Sequence, residues 1–238
     1  MSIRVRYPTF VLGACLLACS ARAESLSPPG TILLLSDPGI SLLQREQAVD
    51  FQPLRQNWIP QKPAHCGAAS AVVVNNALRP ENRLTQDGLF TTNTAHIIAQ
   101  ETVYRMGFTL DELTSMIRTR TGLDVEAHHA YDEDASSNFD AFRETLKRNR
   151  IRDDDHLILN FSRQHLQGSG TGNGHFSPVA DYNADEDMVL ILEVNGLREP
   201  YWISSRTLYE AMRTTDPVCD RHRGWMVLSI APGKTSEN

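Results

Sequence analysis

Cysteine is scarce in this chain of 238 residues: there are four, and two of them, Cys15 and Cys19, lie near the N-terminus. The remaining pair, Cys66 and Cys219, cannot form the dense disulfide framework that holds small secreted domains together. A long apolar run is also missing, since the stretch from Phe10 to Ala18 is too short to span a bilayer. Basic charge is not in excess. The formal net charge is -6 and the Lys and Arg residues are scattered rather than banded, which argues against a nucleic-acid or anionic-membrane partner. Internal repeats and low-complexity tracts are absent as well, so one domain with a substantial core accounts for the chain.

The first 23 residues read as an export signal. Arg4 and Arg6 give a positive start, the run from Phe10 to Ala18 a short apolar core, and Ala21-Arg22-Ala23 a small-x-small cleavage pattern. The expected mature protein begins near Glu24, occupies 24–238, and is periplasmic or otherwise exported. Leu16-Leu17-Ala18-Cys19 also fits a lipoprotein processing site, with Cys19 as the lipid-bearing residue.

The stretch Gln61-Lys62-Pro63-Ala64-His65-Cys66-Gly67-Ala68-Ala69-Ser70 is where the chemistry concentrates. Pro63 forbids a helix running in from upstream, and the small and aliphatic residues from Ala68 to Leu78 form one, so Cys66 falls in its first turn. There the helix dipole and unpaired N–H groups favour the thiolate, which is the reactive form. Gln61 carries a side-chain amide able to donate to an oxyanion beside the sulfur. Two readings compete with a nucleophile: a small buried core residue, and a disulfide to Cys219.

Elsewhere the pattern is helical first and strand-like later. Ile32 to Leu35 is a short apolar segment ended by an Asp37-Pro38-Gly39 turn, Ser41 to Val49 has helical spacing, and Phe51 to Pro60 reads as irregular. After a polar loop, a helix is expected from Thr94 to Met106. Another opens at Thr109, with Glu112 completing a capping box, and ends at Gly122. Leu123 to Ala127 is strand-like, Ser137 to Asn149 helical, and His156 to Phe161 a strong strand. A loop holding Gly168, Gly170, Gly172 and Gly174 leads into His175 to Tyr182, which forms a hairpin with Met188 to Val194. A helix from Ser205 to Met212 and a strand from Gly224 to Ile230 close the chain. The fold class is α+β with an antiparallel sheet.

A cysteine nucleophile needs a base, and the base needs an acceptor to orient it. His175 stands where the glycine-rich loop enters a buried strand, which exposes one end of the imidazole and fixes the other. Strict hairpin pairing places Asn195 opposite His175, and a turn tighter by two places Glu193 there. Both point to one face, and spacing does not choose between them. By itself His175 also fits a strand-start histidine bonded to nearby backbone.

These residues resemble the phytochelatin synthases, specifically short bacterial members with the catalytic half alone. The matching pieces are Gln61 with the stretch from Pro63 to Ser70, Val74 to Leu78, Gly107 to Leu113, Gly174-His175-Phe176-Ser177-Pro178, Asp187 to Leu192, and Ala211 to Asp216. The resemblance implies a papain-like fold in which Cys66 is the nucleophile, His175 the base and then acid, and Gln61 the oxyanion donor. It implies cleavage of the Cys–Gly bond of glutathione, with γ-glutamylcysteine passed from the thiol to water or to a second glutathione. Glu193 stands where the family has aspartate, adding a methylene. Gln61 lies one residue closer to the cysteine than is usual in the family. No cofactor is required on this reading, and cadmium or zinc would arrive as a thiolate complex of the substrate. The cysteine-rich region of plant members does not follow, so hydrolysis is expected to exceed chain building. An oligomer is compatible with the reading.

Arg163 is the expected partner of a substrate carboxylate, against the alternative of a solvated loop arginine. Two other functions fit the composition. One is a broader thiol peptidase; the other is a non-enzymatic exported metal-binding protein using Glu126, His128, His129 and Asp132, or Asp153 to His156.

Overall fold

The computed structural model describes residues 27–44, 50–131, 134–170, 172 and 174–230. The expected export signal, the lipidation site Cys19 and Asp132 lie outside these residues.

Seven strands form one antiparallel sheet in the order β1 (Ile32–Leu33), β6 (Tyr201–Ser204), β5 (Met188–Ile191), β4 (Gly174–Asn183), β3 (Asp155–Ser162), β9 (Gly224–Ser229) and β2 (Asp124–His129). A separate two-stranded ribbon joins β7 (Thr215–Asp216) to β8 (Arg221–His222). The sheet separates two apolar cores. Leu157, Leu159 and Phe161 of β3 enter one, where α6 (Ala135–Asn149) contributes Phe139, Phe142 and Leu146 and α8 (Ser205–Met212) contributes Leu208 and Met212. Ile158 faces the other, built around α2 (Phe51–Gln56), α3 (Cys66–Leu78) and α5 (Leu110–Thr121). Burial on both faces explains why the β3 sequence is continuously apolar rather than alternating. The α+β expectation holds, with helices covering both faces of the sheet.

Local signals place several elements where expected. Thr109 and Glu112 form a reciprocal capping box at the start of α5, and Gly122 ends that helix with φ 66° in the left-handed region. Three expectations are corrected. Phe51 to Pro60 contains helix α2, because Pro53 lies in its first turn, where it removes no intrahelical bond, while Phe51 and Leu54 are buried three residues apart. Asp37-Pro38-Gly39 starts helix α1 (Asp37–Gln44) rather than ending a segment in a turn, and Ser36 Oγ accepts from the Gly39 N–H at 3.3 Å. The rest of the expected Ser41 to Val49 helix lies outside the described residues. The helix expected from Thr94 shrinks to α4 (Gln100–Met106). Thr94 Oγ1 accepts from the Thr91 N–H at 2.8 Å and donates to the Leu89 carbonyl at 2.9 Å, which holds that stretch in turns.

The hairpin also differs at its end. Asn183 pairs with Met188, a bulge between Val179 and Asp181 shifts the register, and Val179 then pairs with Ile191. Strand β5 stops there, and 192–194 leave the sheet although they read as strand. Leu192 still donates its N–H to the Pro178 carbonyl at 3.0 Å.

Candidate active site

The position of Cys66 is set by a tight turn. Lys62 accepts from the His65 N–H at 3.0 Å, Ala64 has φ 59°, and His65 precedes the first residue of α3, which is Cys66. The left-handed conformation costs an alanine roughly 1–2 kcal/mol, so the surrounding contacts must hold it. Gln86 does much of this, accepting from the Lys62 N–H at 2.9 Å and donating to the Pro60 carbonyl at 2.9 Å. Gly67 completes the placement. A Cβ there would lie 3.0 Å from Phe108, 3.2 Å from Leu113 and 3.4 Å from Phe176, so only glycine lets α3 approach the sheet this closely.

Helix α3 packs against β4, whose second residue is His175. His175 is buried, and its Nε2 donates to Glu193 Oε1 at 2.7 Å. A carboxylate only accepts, so Nε2 carries the proton in this bond. Ser177, two residues along the same strand face, lies 3.0 Å from Nε2 and steadies the ring from a third side. The choice left open between Glu193 and Asn195 is resolved by these contacts. Glu193 meets the imidazole, while the Asn195 backbone N–H supports Glu193 Oε1 at 2.8 Å and its side chain accepts from the Leu197 N–H at 3.1 Å.

The electrostatics follow from the packing. Burial pushes the Cys66 thiol up, but the hydrogen bond and charge of His175, the Phe176 N–H and the charge of Arg163 outweigh it, leaving the thiol below its ordinary 9.0. Burial pulls His175 down, and Glu193 and Cys66 together more than reverse that, so it titrates above 6.5. Burial pushes Glu193 up, yet the charge and hydrogen bond of His175, then Arg163 and the Asn195 N–H, bring it from 4.5 to about 2. The two shifts run toward each other, the thiol downward and the imidazole upward, beside a carboxylate held ionised.

Cys66 and His175 open onto a cleft of about 340 Å³ also lined by Gln61, Arg105, Arg163 and Asp216. The Gln61 N–H donates to the Val194 carbonyl at 2.8 Å, tying the approach to Cys66 to the segment that carries Glu193. Gln61 Oε1 is buried without a partner, and Cys66, as the first helical residue, has an N–H with no intrahelical acceptor. Arg163 lies closer to the chemistry than the sequence indicates. Its Nη2 is 2.8 Å from each ring nitrogen of His175 and 3.4 Å from Glu193 Oε1.

Asn160 and Arg223 were not singled out by sequence. Both are buried behind Gly174, with the Asn160 amide and Arg223 Nε lacking partners, although Arg223 donates to the Gly172 carbonyl at 2.9 Å. A buried arginine and asparagine beside a glycine-rich loop are visible only once the sheet order is known. A larger, mostly apolar cavity of about 470 Å³, lined by Leu34, Phe51 and Trp58, lies behind Glu193 and holds no nucleophile.

Cys66 and Cys219 are both free thiols. Among the described residues, no three or more His, Cys, Asp or Glu side chains converge on a metal position. In the clusters considered from sequence, His128 lies 3.0 Å from Glu126 of the same cluster, His129 3.1 Å from Asp111, and His156 3.1 Å from Asp50. No described helix is long and apolar enough to cross a membrane.

The peptidase domain of Streptococcus ComA, titled as a bifunctional ABC transporter involved in a quorum-sensing pathway, aligns at 11% identity and TM-score 0.42 over 72% of this chain and 96% of that one. Similarity in sequence is greater. Glutathione gamma-glutamylcysteinyltransferase 3 of Lotus japonicus is 32% identical over 71% of this chain and 35% of its own length. Glutathione gamma-glutamylcysteinyltransferase 1 of Arabidopsis thaliana is 31% identical over 71% of this chain and 34% of its own. The Schizosaccharomyces pombe enzyme of that name is 25% identical over 81% and 46%. The chain thus spans about a third of the plant relatives' length. The phytochelatin synthase family model matches residues 23–225, which takes in Cys66, His175, Glu193 and most of the sheet, and the chain belongs to that family.

Proposed function

We propose that the protein cleaves the Cys–Gly bond of glutathione through a γ-glutamylcysteinyl thioester on Cys66, then passes that acyl group to water or to a second glutathione. The observation that carries this is that Cys66 and His175 line one cleft while Glu193 holds His175 at 2.7 Å. The Cys66 thiolate attacks the carbonyl carbon, and the oxyanion is held by the Gln61 amide and the Cys66 N–H. The His175 imidazolium gives its proton to the departing glycine nitrogen, the C–N bond breaks, and the thioester remains. The neutral imidazole then takes a proton from water or from the amine of a second glutathione, which attacks the thioester and frees the thiol.

Asp216 offers an anion to the substrate ammonium, and Arg163 a cation to a substrate carboxylate as that carboxylate enters beside His175. Cadmium or zinc takes part as a thiolate complex of glutathione. The protein works after export, which the targeting pattern before Glu24 supports.

The test is incubation of the mature protein and a Cys66→Ala variant with reduced glutathione, with and without cadmium, followed by mass spectrometry. Cys66-dependent glycine release with γ-glutamylcysteine as the main product is expected. Longer thiol peptides appearing with metal would assign transfer as the dominant route. No glycine release by folded protein with a free Cys66 thiol would refute the substrate, and cleavage of unrelated peptides instead would make the protein a broader thiol peptidase.

A further inference from the structure

The cleft holds two arginines, and they are differently committed. Arg163 has its Nη2 against His175 and Glu193 and is only about one-fifth exposed. Arg105 is exposed, lies in the last turn of helix α4, and makes one long contact, from Nε to the Glu101 carbonyl of its own helix at 3.4 Å. It forms no ion pair with any described residue. The wall that carries it is nevertheless fixed: Gly107 turns the chain at φ 76°, and buried Phe108 stacks on Phe90 with ring centroids 6.0 Å apart. Asp216 also lines the cleft, its carboxylate accepting from the Val218 N–H at 3.0 Å.

Glutathione brings two carboxylates and one ammonium. Asp216 matches the ammonium and Arg163 one carboxylate, which leaves one anionic end of the substrate without a partner and one cleft cation without an anion. We infer that Arg105 binds a substrate carboxylate and so selects for a doubly anionic thiol peptide. This rests on the glutathione reading given above. An exposed guanidinium loses little hydration on pairing, so its contribution is to binding, in ground state and transition state alike. Arg105 is accordingly a specificity residue, and its loss should appear in KM and leave kcat nearly unchanged.

The experiment compares wild type, Arg105→Gln and Arg105→Lys on glutathione and on glutathione esterified at the glycyl carboxylate, reading glycine or glycine-ester release. Arg105→Gln should raise KM for glutathione by about threefold to fivefold, with kcat within about twofold, and Arg105→Lys should recover part of the loss. If the ester removes the difference between wild type and Arg105→Gln, the glycyl carboxylate is the partner; if the difference persists, the γ-glutamyl carboxylate is. An unchanged KM for glutathione in Arg105→Gln, with wild type active, would overturn the inference alone. An inactive wild type would instead remove the reading on which it rests.

Discussion

Glu193 is the side chain on which the charge state of the site depends most directly, and its replacement can be worked through. A carboxyl held at about 2 instead of 4.5 is favoured as the anion by about 3 kcal/mol. Because Glu193 is almost wholly buried, solvent screening does not reduce that figure much. The charge and hydrogen bond of His175 lead the groups that hold it down, so most of this energy is shared with the imidazole. Glu193→Gln keeps an acceptor for Nε2 and removes the charge. His175 then falls in pKa, Cys66 rises toward 9.0, and glycine release from glutathione should drop by about 10²-fold. The direct assay is the pH dependence of Cys66 alkylation by iodoacetamide, whose midpoint should move upward in the variant. Glu193→Asp restores the charge on a shorter arm and should shift that midpoint much less while still slowing turnover. A Glu193→Gln profile coinciding with wild type, with catalysis unchanged, would refute the assignment. The same group also affects acid stability. Its pKa is depressed on folding, so its contribution is present above about 4.5 and lost as pH falls through about 2; acid unfolding of Glu193→Gln should lack this component.

Asp181, buried on β4 and raised from 3.8 to about 6 by burial and then by the Asp50 charge, behaves oppositely: its stability contribution is complete below 3.8 and lost as pH rises through 6. Asp181→Asn should therefore raise Tm at pH 7.5, by up to about 3 kcal/mol of stability, and have little effect at pH 4; an equal change at both values would show that ionisation is not the cause. Gly67→Ala must push α3 away from Phe108 and Leu113. Glycine release should fall by at least about tenfold while Tm moves only a few degrees, and full activity in this variant would show that helix placement is not limiting.

Much of the fold was legible where the deciding chemistry was local. Thr109, Glu112 and Gly122 announce α5 because a cap needs only its own turn. Cys66 announces the start of α3 because Pro63 ends whatever precedes it. Elements decided by distant contacts were harder to see. Strand β6 is four residues long and follows Pro200, too short to display alternation, and it exists because β1 and β5 pair with its two edges. Helix α2 was hidden by Pro53, and its burial depends on the core it joins. The site divides the same way. His175 could be argued from its loop and strand, but the proximity of Arg163 depends on how β3 ends beside β4, and the buried Asn160 and Arg223 on which strands become neighbours.

The ambiguity between Glu193 and Asn195 has a specific physical origin. Beyond the bulge, the residue numbers of the paired positions Val179 and Ile191 would, if continued, put Asn195 opposite His175. The strand does not continue. After Leu192 the chain leaves the ladder, and the Glu193 carbonyl accepts instead from Trp58 Nε1 at 2.9 Å. From this backbone, held off the ladder by Trp58, the Glu193 side chain meets the imidazole at 2.7 Å. Its far end is then fixed by the Asn195 N–H at the same oxygen that meets His175. The departure from the sheet and the carboxylate contact are thus parts of one arrangement: Trp58 anchors the main chain and Asn195 anchors the carboxylate on His175.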